Sequence, residues 1–261
     1  MLLAADVGNT NVTLGVFDGA VLLHTFRFGS LSNRTEDECG ALLFQLLSMR
    51  GIKAQDIHAA IIASVVPSVT DVMNLAIRKT LAREPLVVGG PGIKTGISVL
   101  YDNPRDVGAD RIVNAVAAYE RYKSGVIVVD FGTATTFDCV SPKAEYLGGV
   151  IVPGVEVSLG ALLGRAAKLG PVELNAPPSV LGRNTPNAIQ SGIVYGYACL
   201  VDGLVEKLRS ELTFECSVLA TGGLARLIAP HTKLLTNVDP DLTLLGLRLL
   251  YDKNRQPSAT V

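Results

Sequence analysis

The chain has 261 residues, 48% of them hydrophobic and 18% charged, with a formal net charge of −1. That length and apolar content support a full core in one large or two medium domains and exclude a disordered polymer. Lys and Arg are scattered without a basic stripe, so nucleic acid and anionic membrane surfaces are not expected partners; no uninterrupted apolar run approaches the roughly 18–20 residues of a membrane span.

The chain opens on LLAADVGNTNVTLGVFDG, residues 2–19. Residues 2–7 and 12–17 predict two short strands, DGA at 18–20 a turn, and VLLHTFRF a third strand. The start reads as a strand rather than as a basic segment before an apolar one, which predicts a mature cytoplasmic chain without a signal peptide. Residues 35–50 carry acidic residues first and then apolar positions near the helical period, so a capped helix is expected there. HAAIIASVVPS, residues 58–68, predicts a buried strand ending at Pro67. A helix over 69–83, a strand at 85–89 (PLVVG) and a helix over 106–122, after the loop YDNPRDVGAD, follow.

Then the order restarts. VIVVDF, TTFDCV and AEYLGGVIVPG predict three strands, and SLGALLGRAAKL a helix. A long helix is expected from Thr185–Pro186 to Leu212, with proline in its first turn. SVLATGG reads as a strand entering a glycine turn; a short helix, a strand at KLLTN, a helix at LTLLGLRLLYD and a frayed tail, RQPSATV, complete the chain. Strands followed by alternating strands and helices, twice over, predict two related α/β lobes, over 1–115 and 116–255. Their repeat offset is 130 − 6 = 124 residues.

Cys39, Cys139, Cys199 and Cys216 form no C-x-x-C pair and have no nearby histidine, so free, mostly buried thiols are expected. His24, His58 and His231 offer no metal-ligand spacing. Chemistry is carried instead by a repeated loop. Asp6-Val7-Gly8-Asn9-Thr10-Asn11-Val12-Thr13 aligns with Asp130-Phe131-Gly132-Thr133-Ala134-Thr135-Thr136-Phe137. In each, an aspartate ends a buried strand, a glycine allows a close turn, and small polar residues fill the bend. Such a turn can bring backbone N–H groups and hydroxyls against a phosphate chain, while the carboxylate offers a hard oxygen to a cation or its water. A plain β-hairpin reads the same way in a single copy; two copies favour the nucleotide reading.

Paired Asp-x-Gly hairpins in duplicated lobes resemble the acetate/sugar kinase–Hsp70–actin superfamily. That resemblance implies two ribonuclease H-like lobes of the actin/hexokinase type with a nucleotide cleft between them. Ala220-Thr221-Gly222-Gly223, after an apolar strand, then corresponds to the adenosine-site glycines, although a flexible helix-entry turn would look alike. Within the superfamily, the first loop, Asp102-Asn103-Pro104-Arg105-Asp106-Val107-Gly108-Ala109-Asp110-Arg111, Leu147-Gly148-Gly149 leading into Pro153-Gly154, and Gly182-Arg183-Asn184-Thr185 resemble type III pantothenate kinase, in the right order from about residue 2 to about 250.

The family resemblance implies ATP with Mg2+, a monovalent cation (K+ or NH4+), pantothenate as substrate, and a homodimer. It assigns Asp6 to Thr13, Thr133, Gly222 and Gly223 to ATP, Asp130 to the cation, and Tyr101, Gly108, Ala109, Asp110, Arg111 and Thr185 to the substrate, with Asp110 accepting the hydroxyl proton. Residue by residue, blander readings stand beside these. Asp110 at a helix start is also a cap, and the helix N-terminus would keep it ionised with an ordinary pKa. Arg111 is also a surface helix arginine, Tyr101 a packing residue, and Thr185 an N-cap before Pro186. The family reading places Thr185 in a neighbouring subunit's pocket, and the helix 187–212 could form that interface or an internal core. The implied activity is phosphorylation of pantothenate, the entry to coenzyme A synthesis; the alternatives are a kinase of another small alcohol or sugar, or a non-catalytic relative akin to accessory factors of transcription.

Overall fold

A computed structural model describes residues 1–30, 34–165 and 170–255. The expected helical residues 166–169 and the tail from 256 onward lie outside the described residues. The chain divides into two units, one of Met1–Ile97, Asp102–Ala117 and the segment from Leu242 onward, the other of Ser98–Tyr101 and Ala118–Asp241.

In the first unit, β1 (Leu2–Val7), β2 (Asn11–Asp18) and β3 (Val21–Gly29) form an antiparallel meander. α1 (Glu36–Ser48) then leads to β4 (Ala59–Ser64), which pairs parallel with β1. α2 (Pro67–Leu81) returns the chain to β5 (Leu86–Val87), giving the order β3-β2-β1-β4-β5. α1 starts where the acidic residues predict: the Thr35 side chain accepts from the Glu38 N–H, and the Glu38 carboxylate accepts from the Thr35 N–H, so two orphan helix donors are satisfied reciprocally. Pro67 opens α2 at its first position rather than only ending the strand, because its missing N–H needs no partner there. Alternate residues of the sheet (Leu3, Ala5, Val7, Val12, Leu14) meet Leu43 and Leu47 of α1 and Met73 and Ile77 of α2 in one fully buried cluster. Asp6 and Thr13 belong to the other sheet face.

That other face receives the C-terminal helix. α3 (Ala109–Tyr122) begins in the first unit, and the final helix, numbered α7 (Leu242–Asn254), packs against β1, β2 and β4. A Cβ on Gly246 would run into the Val113 main chain, and the Thr243 hydroxyl donates to buried Asn114 Oδ1 at 2.7 Å, so α7 lies directly on α3. A single cut near residue 115 therefore does not separate the units: the last helix belongs with the first sheet.

The second unit repeats the plan. β6 (Ser98–Val99) is a short edge strand that the sequence reading missed. β7 (Gly125–Phe131), β8 (Ala134–Val140) and β9 (Glu145–Pro153) form the meander; α4 (Val155–Arg165) and α5 (Thr185–Glu211) follow; then come β10 (Cys216–Thr221), α6 (Ala225–Ile228) and β11 (Asn237–Val238). The order is β11-β10-β7-β8-β9-β6, which is the first sheet's order with one strand added at the β9 edge. The strand expected over KLLTN shrinks to Asn237–Val238, since only those residues pair with β10. α5 is capped by Asn184, whose side chain accepts from the Asn187 N–H; Thr185 is the first helical residue, not the cap. By length and composition α5 is apolar enough to cross a membrane, yet Ile193, Val194, Tyr197, Val201 and Val205 on it are buried against β7, β8 and β10. Of the four cysteines, Cys39 and Cys139 are buried, while Cys199 is exposed and Cys216 half-exposed.

Candidate active site

The first loop sits at the tip of the β1–β2 hairpin. Asp6 pairs with Thr13 and Val7 with Val12, and the Gly8 N–H donates to Asn11 O at 3.0 Å, closing a turn around Asn9 and Thr10. Asn9 and Thr10 are exposed, while Asp6 and Thr13 are half-buried. The Val7 and Val12 side chains are fully buried in the core, so only their main chain could face a ligand.

The second loop is tighter by one residue. Asp130 pairs with Thr136 rather than with Phe137, because only Gly132 and Thr133 separate β7 from β8. The eight-for-eight alignment of the two loops therefore slips within the turn; Thr136, not Phe137, stands opposite its aspartate as Thr13 does in the first hairpin. Thr133 is exposed, and its carbonyl accepts from the Gly154 N–H at 3.1 Å.

Gly222, just past β10, meets this loop. Thr221 is in register with Asp130, and Gly222 adopts φ +89°, a left-handed conformation that glycine tolerates best. A Cβ there would lie 2.5 Å from Asp130 Oδ1 and 2.6 Å from the Phe131 carbonyl. The absent side chain thus leaves a point where one carboxyl oxygen and one carbonyl oxygen converge. That donor set suits a hard, weakly charged cation. Among the described residues no group of three or more His, Cys, Asp and Glu side chains could hold a metal ion.

The third aspartate belongs to the first unit. Asp110 is the second residue of α3 and half-buried; its Oδ1 accepts from the Arg111 N–H at 2.8 Å. Gly108 beside it leaves no room for a side chain, since a Cβ would lie 2.5 Å from Asp110 Oδ1. Burial is the largest influence on Asp110 and pushes its carboxyl above the ordinary aspartate value; the Arg111 N–H bond and guanidinium charge pull it back only in part. The expectation of an ordinary pKa is therefore corrected: the helix end does not outweigh desolvation. Arg111 is itself buried rather than a surface arginine.

A cavity of about 440 Å³ opens next to this segment, lined by Arg105, Asp106, Val107, Gly108 and Ala109 and, across from them, by Ser64, Val65, Pro67, Thr70 and Asp71. Ser64, Thr70 and Asp71 went unnoticed in the sequence. The signal was there: Ser64 ends β4 and Pro67 begins α2, and ligands in α/β sheets gather at such strand ends. Tyr101 lies in the second unit, just after β6, with its ring exposed on one side. Thr185 is also in the second unit, exposed, and lines a shallow, mostly apolar hollow with Leu162, Arg183, Asn184 and Ile189.

The doubled strand order, with an aspartate at the first hairpin of each unit, defines a protein of the two-lobed ribonuclease H-like class shared by actin/hexokinase-type kinases. Solved structures agree on that fold. A Campylobacter jejuni protein assigned to a Baf family of transcriptional activators superimposes with TM-score 0.59 at 18% identity, covering 97% of this chain and 98% of its own. An inorganic polyphosphate/ATP-glucomannokinase from Arthrobacter sp. strain KM does so with TM-score 0.52 at 15% identity, covering 97% and 99%. Sequence comparison narrows the class. The model of the type III pantothenate kinase family matches residues 2–207. Type III pantothenate kinases from Myxococcus xanthus (strain DK1622) and Moorella thermoacetica are 52% and 50% identical over 254 residues, spanning 97% of this chain and 99% and 100% of theirs. The chain belongs to the type III pantothenate kinase family.

Proposed function

We propose that the chain transfers the terminal phosphoryl group of MgATP to the primary hydroxyl of pantothenate, giving 4′-phosphopantothenate, the entry step of coenzyme A synthesis. The hydroxyl oxygen bonds to the γ-phosphorus as the bond to the β-phosphate oxygen breaks, ADP leaves, and the hydroxyl proton passes to Asp110. The observation that carries this reading is Asp110 itself: a half-buried carboxylate with a raised pKa, at a helix start beside a cavity lined by Arg105 and Gly108. A base whose pKa moves toward working pH gains driving force for proton transfer.

The other roles follow from chemistry. Asp6 and the exposed amide and hydroxyl of Asn9 and Thr10 suit the phosphates and their magnesium, as do Thr133 and the glycines at 222 and 223. Asp130 and the Phe131 carbonyl would hold the monovalent cation, which when bound supplies positive charge near the transferring group. Gly108, Ala109 and Arg111 would grip the acceptor; Tyr101 is read as a further substrate residue, and Thr185 as one that reaches the pocket of a neighbouring subunit. A homodimer is what the family resemblance implies, and the second unit exposes large apolar side chains, among them Ile151, Val157, Leu162, Val180 and Leu181, that a second copy could cover. Such an enzyme works where ATP is made available, in the cytoplasm. The absence of a basic stripe argues against a nucleic-acid partner, and the burial of α5 against a membrane role.

The test is the purified protein with ATP, Mg2+, K+ and pantothenate. ATP-dependent formation of phosphopantothenate, absent without pantothenate and reduced to background by Asp110→Asn, is the expected result. ATP turnover with another small alcohol or a sugar in a parallel panel, and none with pantothenate, would replace this reading by the related-kinase one. A non-catalytic role is disfavoured because Asp6, Asp110 and Asp130 are all retained.

A further inference from the structure

One buried acid is used by none of these roles. Asp138, in the middle of β8, is wholly excluded from solvent, as is Tyr146 of β9. The Tyr146 hydroxyl donates to Asp138 Oδ1 at 2.8 Å, and the Thr136 hydroxyl donates to Asp138 Oδ2 at 3.0 Å. Thr136 is the register partner of Asp130, so one end of this chain of bonds touches the second loop.

The other end reaches Tyr101. The Tyr101 and Tyr146 rings pack tilted at 58°, with centroids 6.3 Å apart. The Leu100 N–H donates to the Tyr146 carbonyl at 2.8 Å, and Val99 pairs with Tyr146 in the short β6–β9 ladder. Beneath the Tyr101 ring lies Gly148 at φ +121°, where a Cβ would stand 3.4 Å from the ring. Tyr101 is thus seated by Tyr146 from the side and by a glycine from below, and Tyr146 is in turn pinned through its hydroxyl. A buried carboxyl is costly unless its oxygens are bonded. Here both are bonded, each to a group in contact with a residue assigned to the reaction.

We propose that Asp138 and Tyr146 are positioning residues that fix the Tyr101 ring for the acceptor, and so set affinity for pantothenate without touching the reacting atoms. This rests on the reading of Tyr101 as a substrate residue, so Tyr101→Ala is measured first. A rise in the pantothenate KM upholds that reading; no rise removes both it and the proposal. Tyr146→Phe keeps the ring and deletes only the hydroxyl. The expected result is a pantothenate KM raised about tenfold, with kcat and the ATP KM within about twofold. Asp138→Ala should raise the pantothenate KM at least as far. Asp138→Asn should recover most of that loss, since its amide oxygen still accepts from Tyr146. If Tyr101→Ala raises the pantothenate KM while Tyr146→Phe leaves it unchanged, the substrate reading stands and the proposal fails. An equal change in kcat and both KM values for Tyr146→Phe, or an Asp138→Asn no better than Asp138→Ala, would also overturn it.

Discussion

The two units share a strand order, the second adding β6, and one matched position carries sharply different residues. Two residues beyond the partner of the loop aspartate stands Gly15 in the first unit and Asp138 in the second. At Gly15 the missing side chain makes room for α7: a Cβ would lie 3.0 Å from Leu244 Cδ1 and 3.1 Å from Leu22 Cδ1. At Asp138 the space is filled by a carboxyl bonded to Tyr146 and Thr136. In one copy of the sheet this position faces an apolar helix; in the other it carries a carboxyl bonded to hydroxyls of the sheet itself. A duplicated scaffold keeps its backbone order while the cover of a face decides which residues each copy tolerates.

The largest effect is expected at Asp110, which neither hairpin supplies. Asp110→Asn should lower kcat by about 10²–10⁴-fold in the phosphorylation assay. The same variant should melt at a higher temperature than the parent near neutral pH. The sign follows from the raised pKa: the folded state holds the proton to higher pH than the unfolded state does, so this group's stabilisation is complete below the ordinary aspartate value and is lost as pH rises through the raised one. The difference in melting temperature should vanish at acid pH. The acid limb of kcat/KM for pantothenate should fall at a higher pH than an ordinary aspartate would give, measured as kcat/KM against pH.

Exchanging the matched residues breaks the comparison most directly. Gly15→Asp places a carboxyl against Leu244 with no tyrosine hydroxyl to meet it, and should destabilise by roughly 3 kcal/mol or more in denaturant unfolding. Unchanged stability would show that the apolar cover is not what selects glycine there. Gly222→Ala is next: it forces φ +89° on a side chain and crowds Asp130 Oδ1, for a loss of about 1–3 kcal/mol and weaker ATP binding by calorimetry. Thr35→Ala should cost least, about 1 kcal/mol from the lost capping box, with kcat unaltered.

The hairpins and their aspartates were legible because a strand-ending Asp followed by Gly is a local statement. So was the start of α1, where Thr35 and Glu38 stand three apart. The return of α7 to the first sheet was not, because leucines at helical spacing say that a face is buried but not against which sheet. β6 and β11 are two residues each, below what a pattern can register. Asn184 and Thr185 are both good caps, and only the bond to the Asn187 N–H chooses between them. The raised Asp110 was hidden for the same reason: desolvation comes from the groups packed around it, whereas the helix end is visible in the sequence. Asp138 left one trace, an acid at an otherwise apolar position of TTFDCV, whose partner Tyr146 lies across a turn.

A crystal structure with pantothenate and a non-hydrolysable ATP analogue tests the central claim most directly. The primary hydroxyl should lie about 2.6–3.2 Å from an Asp110 carboxylate oxygen and face the terminal phosphate. A pantothenate bound with that hydroxyl turned away from Asp110, or an analogue whose phosphates touch neither the Asp6 loop nor the Asp130 loop, would contradict it.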